Sequence, residues 1–307
     1  MFGLTPTKNG SVTSPQSNAA ARRPLRVPTA EELPPLVERT PLAVFDEALT
    51  FLRIQPGMLL GIAFMVLLPL RLIAAAMPGS ALRDARPDQL ADIFIGNLGQ
   101  PGAIMAAVVT LILESIALMT VASIYGELIA SWYSGRSMSA TDLLLSSIKR
   151  SPKIVLVWVI SKILIVGGGL LTGGLLGVLI GVFLIAVGPV MGAENASPMA
   201  ALRRSMNLVS SRFGQATFVY ALTGVGAIIM RFMIEFAPAL ILNQLRVPLW
   251  LSAGILDLVA SVFAMAFVAS ASVVLYLDLR VRGEGIDLDM AIDQAYRAGR
   301  GAGARRG

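Results

Sequence analysis

The feature that most constrains this chain is an almost wholly apolar run of 38 residues, 154–191. As a single helix rising about 1.5 Å per residue, the run would be about 57 Å long, nearly twice the hydrocarbon thickness of a bilayer. Glycines cluster near its middle, at residues 167–169 and 173–174. The run therefore predicts two membrane-spanning helices joined by a tight turn, and no span is predicted to be broken in its middle.

Further apolar segments and the composition extend this prediction to a whole domain. Hydrophobic residues make up 55% of the chain and charged residues 14%, against about 25% charged in soluble domains. Segments long enough to cross a bilayer also occur at 58–77, 102–130, 216–240 and 249–277. The sequence predicts an all-α, polytopic membrane protein whose six transmembrane helices and short interfacial helices occupy residues 41–292.

The two ends of the chain differ from this domain. Residues 1–40 are rich in Pro, Ser, Thr and Ala, which predicts a disordered segment, and residues 293–307 are predicted to be a basic, flexible tail. Nineteen Lys and Arg residues fall in the two ends and the second and fourth loops, and three fall in the other loops. This bias predicts a multi-pass protein of the cell membrane with both termini in the cytoplasm.

The composition also excludes several kinds of chemistry. The chain has no Cys and no His, which removes Cys/His zinc sites, disulfides and Ser-His-Asp triads. We therefore expect no catalytic site, no metal and no cofactor. The net charge of +6 is concentrated at the ends of apolar segments, so membrane lipids, and possible protein partners at the cytoplasmic face, are expected rather than nucleic acid.

Charged residues inside predicted spans are the first candidate site, because an unpaired charge there costs several kcal/mol. These residues are Arg71, Glu114, Lys162, Arg231, Glu235 and Asp257. Counted from the cytoplasmic end at about 1.5 Å per residue, five lie in the outer half of the bilayer and Lys162 lies on the inner side. We expect Arg71 to pair with Glu114 and Arg231 with Glu235. The cluster fits either an outward-opening polar cavity or an internal salt-bridge network.

The end of the last span is the second candidate site. Asp278 and Arg282 are four residues apart, as are Arg280 and Glu284, so each pair shares a helical face. The spacing predicts that helix six continues past the membrane, and Gly283 and Gly285 then permit a stop and a turn. Bases in neighbouring loops offer Asp278 and Glu284 further partners: Lys149, Arg150, Arg203 and Arg204. Either a packed cytoplasmic junction or simple basic anchoring would explain this pattern.

A weak repeat precedes the spans. Asp46, Arg53 and Pro56 have the same spacing as Asp142, Lys149 and Pro152. Asp suits the first turn of a helix, a base suits the last, and Pro ends it. The repeat, with a looser third copy at 197–215, predicts interfacial helices ahead of three transmembrane hairpins. They would form a collar for a partner or lipid headgroups, or serve as surface connectors.

Three of these segments carry a family resemblance: "LYLDLRVRGEGIDLD" (275–289), "ENASPMAALRRSMNLV" (194–209) and "PLAVFDEALTFLRIQP" (41–56). They resemble bacterial polytopic proteins, common in actinobacteria, that are related to the membrane domain of glycerophosphoryl diester phosphodiesterases. The resemblance implies the six-helix membrane fold. It does not imply the family's enzyme activity, because the separate catalytic barrel uses histidines that this chain lacks.

Two functions remain open at this point. The first is a non-enzymatic scaffold or accessory subunit linked to cell-envelope or membrane-lipid processes. The second is a transporter or flippase for a polar lipid or small solute, which would use the intramembrane charges. An intramembrane enzyme acting through Glu114 or Asp257 would need a tuned acid–base pair around a substrate, and no such arrangement is evident.

Overall fold

The computed structural model describes residues 39–76, 101–244 and 249–285, and this part of the chain is helical. The helices are α1 (Pro41–Ile54), α2 (Pro56–Ala76), α3 (Pro101–Tyr133), α4 (Ala140–Leu171), α5 (Leu175–Phe183), α6 (Val187–Ala193), α7 (Pro198–Ser210), α8 (Phe213–Gln244) and α9 (Leu249–Glu284). Six spans among the described residues are long and apolar enough to cross a membrane. The predicted all-α, polytopic membrane architecture is confirmed. The predicted terminal segments lie outside the described residues, apart from Arg39 and Thr40.

Helix α9 is the centre of the bundle. It packs against α1, α2, α3 and α8, and almost every residue from 264 to 279 is buried. Ala and Ser are frequent along it, and small side chains let neighbouring helices approach closely. Ser261, Ala264 and Ser272 are among its buried residues. The helix continues to Glu284, as the charged spacing beyond the membrane predicts.

The apolar run folds back on itself as predicted. Helix α4 ends at Leu171, and Gly173 and Gly174 have φ values of +63° and +103°. Both values lie in the left-handed region that glycine adopts without steric cost. The Gly174 N–H donates to the Gly169 carbonyl at 2.7 Å, which closes the turn before α5.

The fourth span is broken in its middle, contrary to the sequence prediction. Residues 184–186 separate α5 from α6, and the N–H of Ile185 donates to the Val182 carbonyl at 3.2 Å in a tighter, three-residue turn. Pro189 explains the position of the break, because a proline ring clashes with the carbonyl four residues earlier and has no N–H to donate to it. The Ser205 hydroxyl of α7 donates to the Phe183 carbonyl at 2.7 Å, so this carbonyl is satisfied beside the break.

Helix α6 is held against α3 by glycine. All residues of α6 from 187 to 192 are buried. A Cβ added to Gly192 would overlap the carbonyl oxygen of Ser123, and one on Gly126 would lie 2.5 Å from the Pro189 oxygen. The backbones of α3 and α6 are therefore in direct contact, which fixes α6, the second half of span four, in the core.

The predicted interfacial helices are present in two of the three repeats. Helices α1 and α7 are separate from the spans that follow them. The second copy is different: α4 runs through Pro152 without a break. The Ser151 hydroxyl donates to the Ile148 carbonyl at 2.8 Å and satisfies the group that Pro152 has no N–H to reach. The prediction that Pro152 ends a helix was therefore wrong.

The two aspartates of the repeat also differ. Asp142 lies in the first turn of α4, where it forms a capping box with Ser139; in a capping box the two residues satisfy each other's free backbone N–H groups. Asp46 is in the middle of α1, which begins at Pro41 with Thr40 as its cap. The predicted first-turn position is confirmed for Asp142 and wrong for Asp46.

Candidate functional site

Five charged side chains from four helices meet far from residues 39 and 285, the first and last residues that the structure describes. This far-half network consists of Arg71 on α2, Glu114 on α3, Arg231 and Glu235 on α8, and Asp257 on α9. Along α9, Asp257 lies 21 residues before Asp278, which corresponds to about 32 Å. The network therefore belongs to the half of the bundle opposite the charged end of α9.

The two arginines link the three carboxylates. Arg71 forms ion pairs with Glu114 and with Asp257, the latter with 2.7 Å between Nη1 and Oδ2. Arg231 pairs with Asp257 at 2.9 Å, with Glu235 at 3.1 Å and with Glu114 at 3.6 Å. The predicted pairs Arg71–Glu114 and Arg231–Glu235 are confirmed. The bridging position of Asp257 between both arginines was not foreseen, because it depends on how α9 sits between α2 and α8.

The far-half network is partly accessible. The exposed fraction of its side chains ranges from 15% for Arg71 to 34% for Arg231. The Ser261 hydroxyl also accepts a hydrogen bond from Arg71. Lys162, the sixth predicted member, makes no ion pair with any described residue and lies outside this set.

A second set of polar groups, the basic-end junction, is built around Asp278. This carboxylate is completely buried. It accepts hydrogen bonds from the Arg39 backbone N–H at 2.7 Å and from the Gln215 amide at 2.6 Å, and it pairs with Arg282 at 3.2 Å. The Arg39 carbonyl in turn accepts from Gln215 at 3.0 Å and from Arg282 at 2.7 Å. The backbone N–H and the carbonyl oxygen of Arg39 are thus both bound by side chains of α8 and α9.

Glu194 is the other centre of the basic-end junction. It pairs with Arg204 at 3.2 Å and accepts a hydrogen bond from the Tyr276 hydroxyl at 2.9 Å. Arg280 lies 3.8 Å from Glu194 and 3.0 Å from Glu284, and Arg204 also pairs with Glu284. The sequence analysis did not identify Glu194, although it lies ten residues before Arg204 in a basic loop.

The predicted partners at this end are confirmed in part. The pairs Asp278–Arg282 and Arg280–Glu284 form, and Arg204 is the loop base that reaches Glu284. The expectation that a loop base also reaches Asp278 was wrong, because Arg39 and Gln215 fill that position. Arg150 pairs instead with Glu127.

Arg150 forms a separate contact between α3, α4 and α6. Besides Glu127, its guanidinium donates to the carbonyl oxygens of Gly192 at 3.3 Å and Met191 at 3.5 Å. The Ser146 hydroxyl donates to Glu127 at 2.6 Å. These bonds tie the carbonyl groups at the end of α6 to the part of α4 that precedes the membrane span.

Six bases at the same end have a different environment. They are exposed, and none makes an ion pair with a described residue: Arg53, Arg136, Lys149, Lys153, Arg203 and Arg212. Large apolar side chains are exposed on the same helices: Leu42, Leu145, Ile148, Met199 and Met206. We call these bases and apolar side chains the basic collar. Glu127, Glu194 and Glu284 are used in ion pairs. The six exposed bases outnumber the exposed acid Asp46 on α1, so the outward charge of the collar is positive.

Among the described residues, no group of three or more Asp, Glu, His or Cys side chains could hold a metal ion. Fold and charges together define the class: a multi-pass, all-α membrane protein with one polar network in each half of its bundle. No family model, no curated protein and no solved structure matches the chain. The resemblance to the phosphodiesterase membrane domain therefore stays a prediction.

Proposed function

We propose that this chain is a non-enzymatic integral protein of the cell membrane that acts as a scaffold or accessory subunit in a lipid-linked process of the envelope. In this proposal both termini are cytoplasmic and the basic collar lies at the inner leaflet. The protein would hold its place through lipid contacts and present its cytoplasmic face to another protein.

The observation that carries the proposal is the separation of charge at the basic end. Several acids there are used in ion pairs, such as Arg150–Glu127 and Arg204–Glu194, whereas the six bases of the collar are exposed and outnumber the exposed acid Asp46. Paired interior charges give a fixed frame, and an outward-facing basic and apolar surface suits contact with a membrane interface. A frame of this kind supports a docking role better than a reaction.

The test separates a structural network from a transport site. Arg71, Glu114, Arg231 and Asp257 are neutralised one at a time in cells, and protein abundance is compared with the export of labelled envelope lipid. A scaffold role predicts that abundance falls with each variant and that the charge-swapped pair Arg231→Glu/Glu235→Arg recovers part of it. Lost export at normal abundance would contradict the scaffold role.

One observation favours the alternative, a transporter or flippase for a polar lipid or small solute. The fourth span is interrupted at residues 184–186, and transporters commonly use discontinuous membrane helices near their binding sites. The far-half network would then line the path of the substrate. In the same assay, this alternative predicts export defects in Arg71 and Asp257 variants whose abundance is unchanged.

A further inference from the structure

We infer that α7 and the start of α4 form a binding surface for the phosphate headgroups of anionic phospholipids. This inference rests on the proposed function and deepens it by naming the lipid class. The surface, called here the α4–α7 patch, consists of the bases Lys149, Lys153 and Arg203 with the apolar residues Ile148, Met199 and Met206.

The exposed side of α7 has the pattern of a helix that lies in a membrane interface. Met199, Arg203 and Met206 follow one another at spacings of four and three residues, and all three are exposed. Spacings of three and four residues place side chains on one helical face. The methionines can enter the acyl region while Arg203 stays at the depth of the phosphates.

The opposite side of α7 fixes the helix to the bundle. Its buried residues are Ala201, Leu202, Ser205, Leu208 and Val209, and Ser205 donates to the Phe183 carbonyl of α5. The helix therefore cannot rotate its methionines inward without losing this bond and this apolar contact. Met199 and Met206 remain 52% and 47% exposed, which an interfacial position explains.

Helix α4 supplies the other two bases at the same place. It packs against α7, and Arg150 binds the end of α6, from which the chain leads directly into α7. Lys149 and Lys153 are one turn apart and exposed. Ile148, beside them, is 65% exposed. This segment precedes the apolar part of α4, so its bases lie at the height of lipid headgroups.

The charge around the patch favours an anion. The carboxylates that contact α4 and α7, Glu127 and Glu194, are already bound to Arg150 and Arg204. Asp142 is engaged with Ser139 at the start of α4. Three bases that lack an ion pair with any described residue therefore face outward beside exposed apolar side chains, which complements a phosphate joined to acyl chains.

The experiment uses the purified full chain in nanodiscs that contain phosphatidylglycerol and phosphatidylcholine, with native mass spectrometry to count the retained lipids. A base near an anionic surface contributes about fivefold to binding, or about 1 kcal/mol. The variant Lys149→Gln/Lys153→Gln/Arg203→Gln is therefore expected to weaken the preference for phosphatidylglycerol about a hundredfold. The variant Lys149→Arg/Lys153→Arg/Arg203→Lys is expected to keep it.

A matched control removes the same charge from the same end of the protein. Arg53→Gln/Arg136→Gln/Arg212→Gln is expected to weaken the lipid preference clearly less than the patch variant does, since these bases lie outside the patch. Equal losses in both triple variants would overturn the inference in favour of net charge alone. An unchanged preference in the first variant would overturn it in favour of an acidic protein partner. If that variant does not fold, the three single substitutions are compared with the control singles.

Failure of the proposed function would give a different result from failure of the lipid-binding inference. Normal envelope-lipid processing in cells that lack the protein would contradict a scaffold role. It would leave the lipid preference of the purified chain intact.

Discussion

The basic-end junction and the far-half network both consist of ion pairs and hydrogen bonds, but they fix different parts of the molecule. At the basic end, Asp278 is completely buried and binds a backbone N–H as well as side chains. In the far half, Arg231 and Asp257 contact other side chains only and stay 34% and 29% exposed. The first arrangement fixes the course of the chain, and the second fixes the relative position of helices.

This difference indicates where the bundle tolerates change. A buried carboxylate that binds a backbone N–H is hard to replace, because removing it takes away the buried counter-ion of Arg282 and the acceptor of the Arg39 N–H. A set of side chains that bind one another and are less completely buried can exchange partners. We therefore expect the half of the bundle that contains the basic-end junction to unfold as one unit, and the far half to adjust locally.

The largest effect is expected at Asp278. The substitution Asp278→Asn keeps the shape but leaves Arg282 without its buried counter-ion and turns an amide towards the donors Arg39 and Gln215. We expect a loss of about 3–5 kcal/mol in the free energy of unfolding, measured by SDS titration of the purified protein in mild detergent. Asp46→Asn, an exposed site on α1, is the control and should change almost nothing. A loss as small as the control's would remove the distinction between the two networks.

Gly192→Ala tests the close packing of α6 against α3 at the basic end without replacing a charged residue. Its Cβ would overlap the Ser123 carbonyl oxygen, so α3 and α6 must separate, at a cost of about 1–3 kcal/mol. Gly224→Ala on α8 has open space around its Cβ and should be neutral or stabilising by up to about 1 kcal/mol. The same SDS titration compares them, and equal unfolding midpoints would show that the α3–α6 contact is not tight.

Arg231→Glu tests the adaptability of the far half. The variant places a fourth carboxylate beside Glu114, Glu235 and Asp257 and should cost about 1–2 kcal/mol, less than Asp278→Asn because its surroundings are less completely buried. Adding Glu235→Arg should recover part of the loss, which a double-mutant cycle measures. A double variant that is less stable than the sum of its single effects would argue against exchangeable pairing.

The smallest effect is expected at Lys162 on α4, which belongs to neither network. Lys162→Gln removes a base that has no ion pair with a described residue, and its long side chain can extend along the helix to reach water. We expect a change within about 0.5 kcal/mol in the same titration. A loss comparable to that of Arg231→Glu would show that Lys162 belongs to the far-half network after all.

The sequence was sufficient for whatever depends on local spacing. The six spans, the turn at Gly173 and Gly174, and the pairs four residues apart on α8 and α9 all follow from helical periodicity and glycine geometry. Asp142 and Ser139 likewise form a local cap. Each of these features is decided within a few turns of one helix.

Features that depend on distant parts of the chain were missed. Arg39 and Asp278 are 239 residues apart and meet through a backbone N–H, a group that every residue except proline carries and that leaves no mark in the sequence. The break in span four was missed because Pro189 lies two residues before the end of the apolar run 154–191, where a proline need not interrupt the helix. Arg150 was expected to be available to Asp278 or Glu284, but it binds Glu127. That pairing depends on the close packing of α3 against α6, which no single helix reveals.

The backbone contacts of Arg39 have a consequence for the two ends of the described chain. The Arg39 carbonyl binds Arg282, three residues before the last described residue, so the described chain begins and ends at one place. Positions 39 and 285 are thus held on the same side of the bundle, whichever way the protein is inserted. Donor and acceptor dyes at positions 39 and 285 should report high energy transfer in detergent, and a circular permutant that joins these positions would need only a short linker.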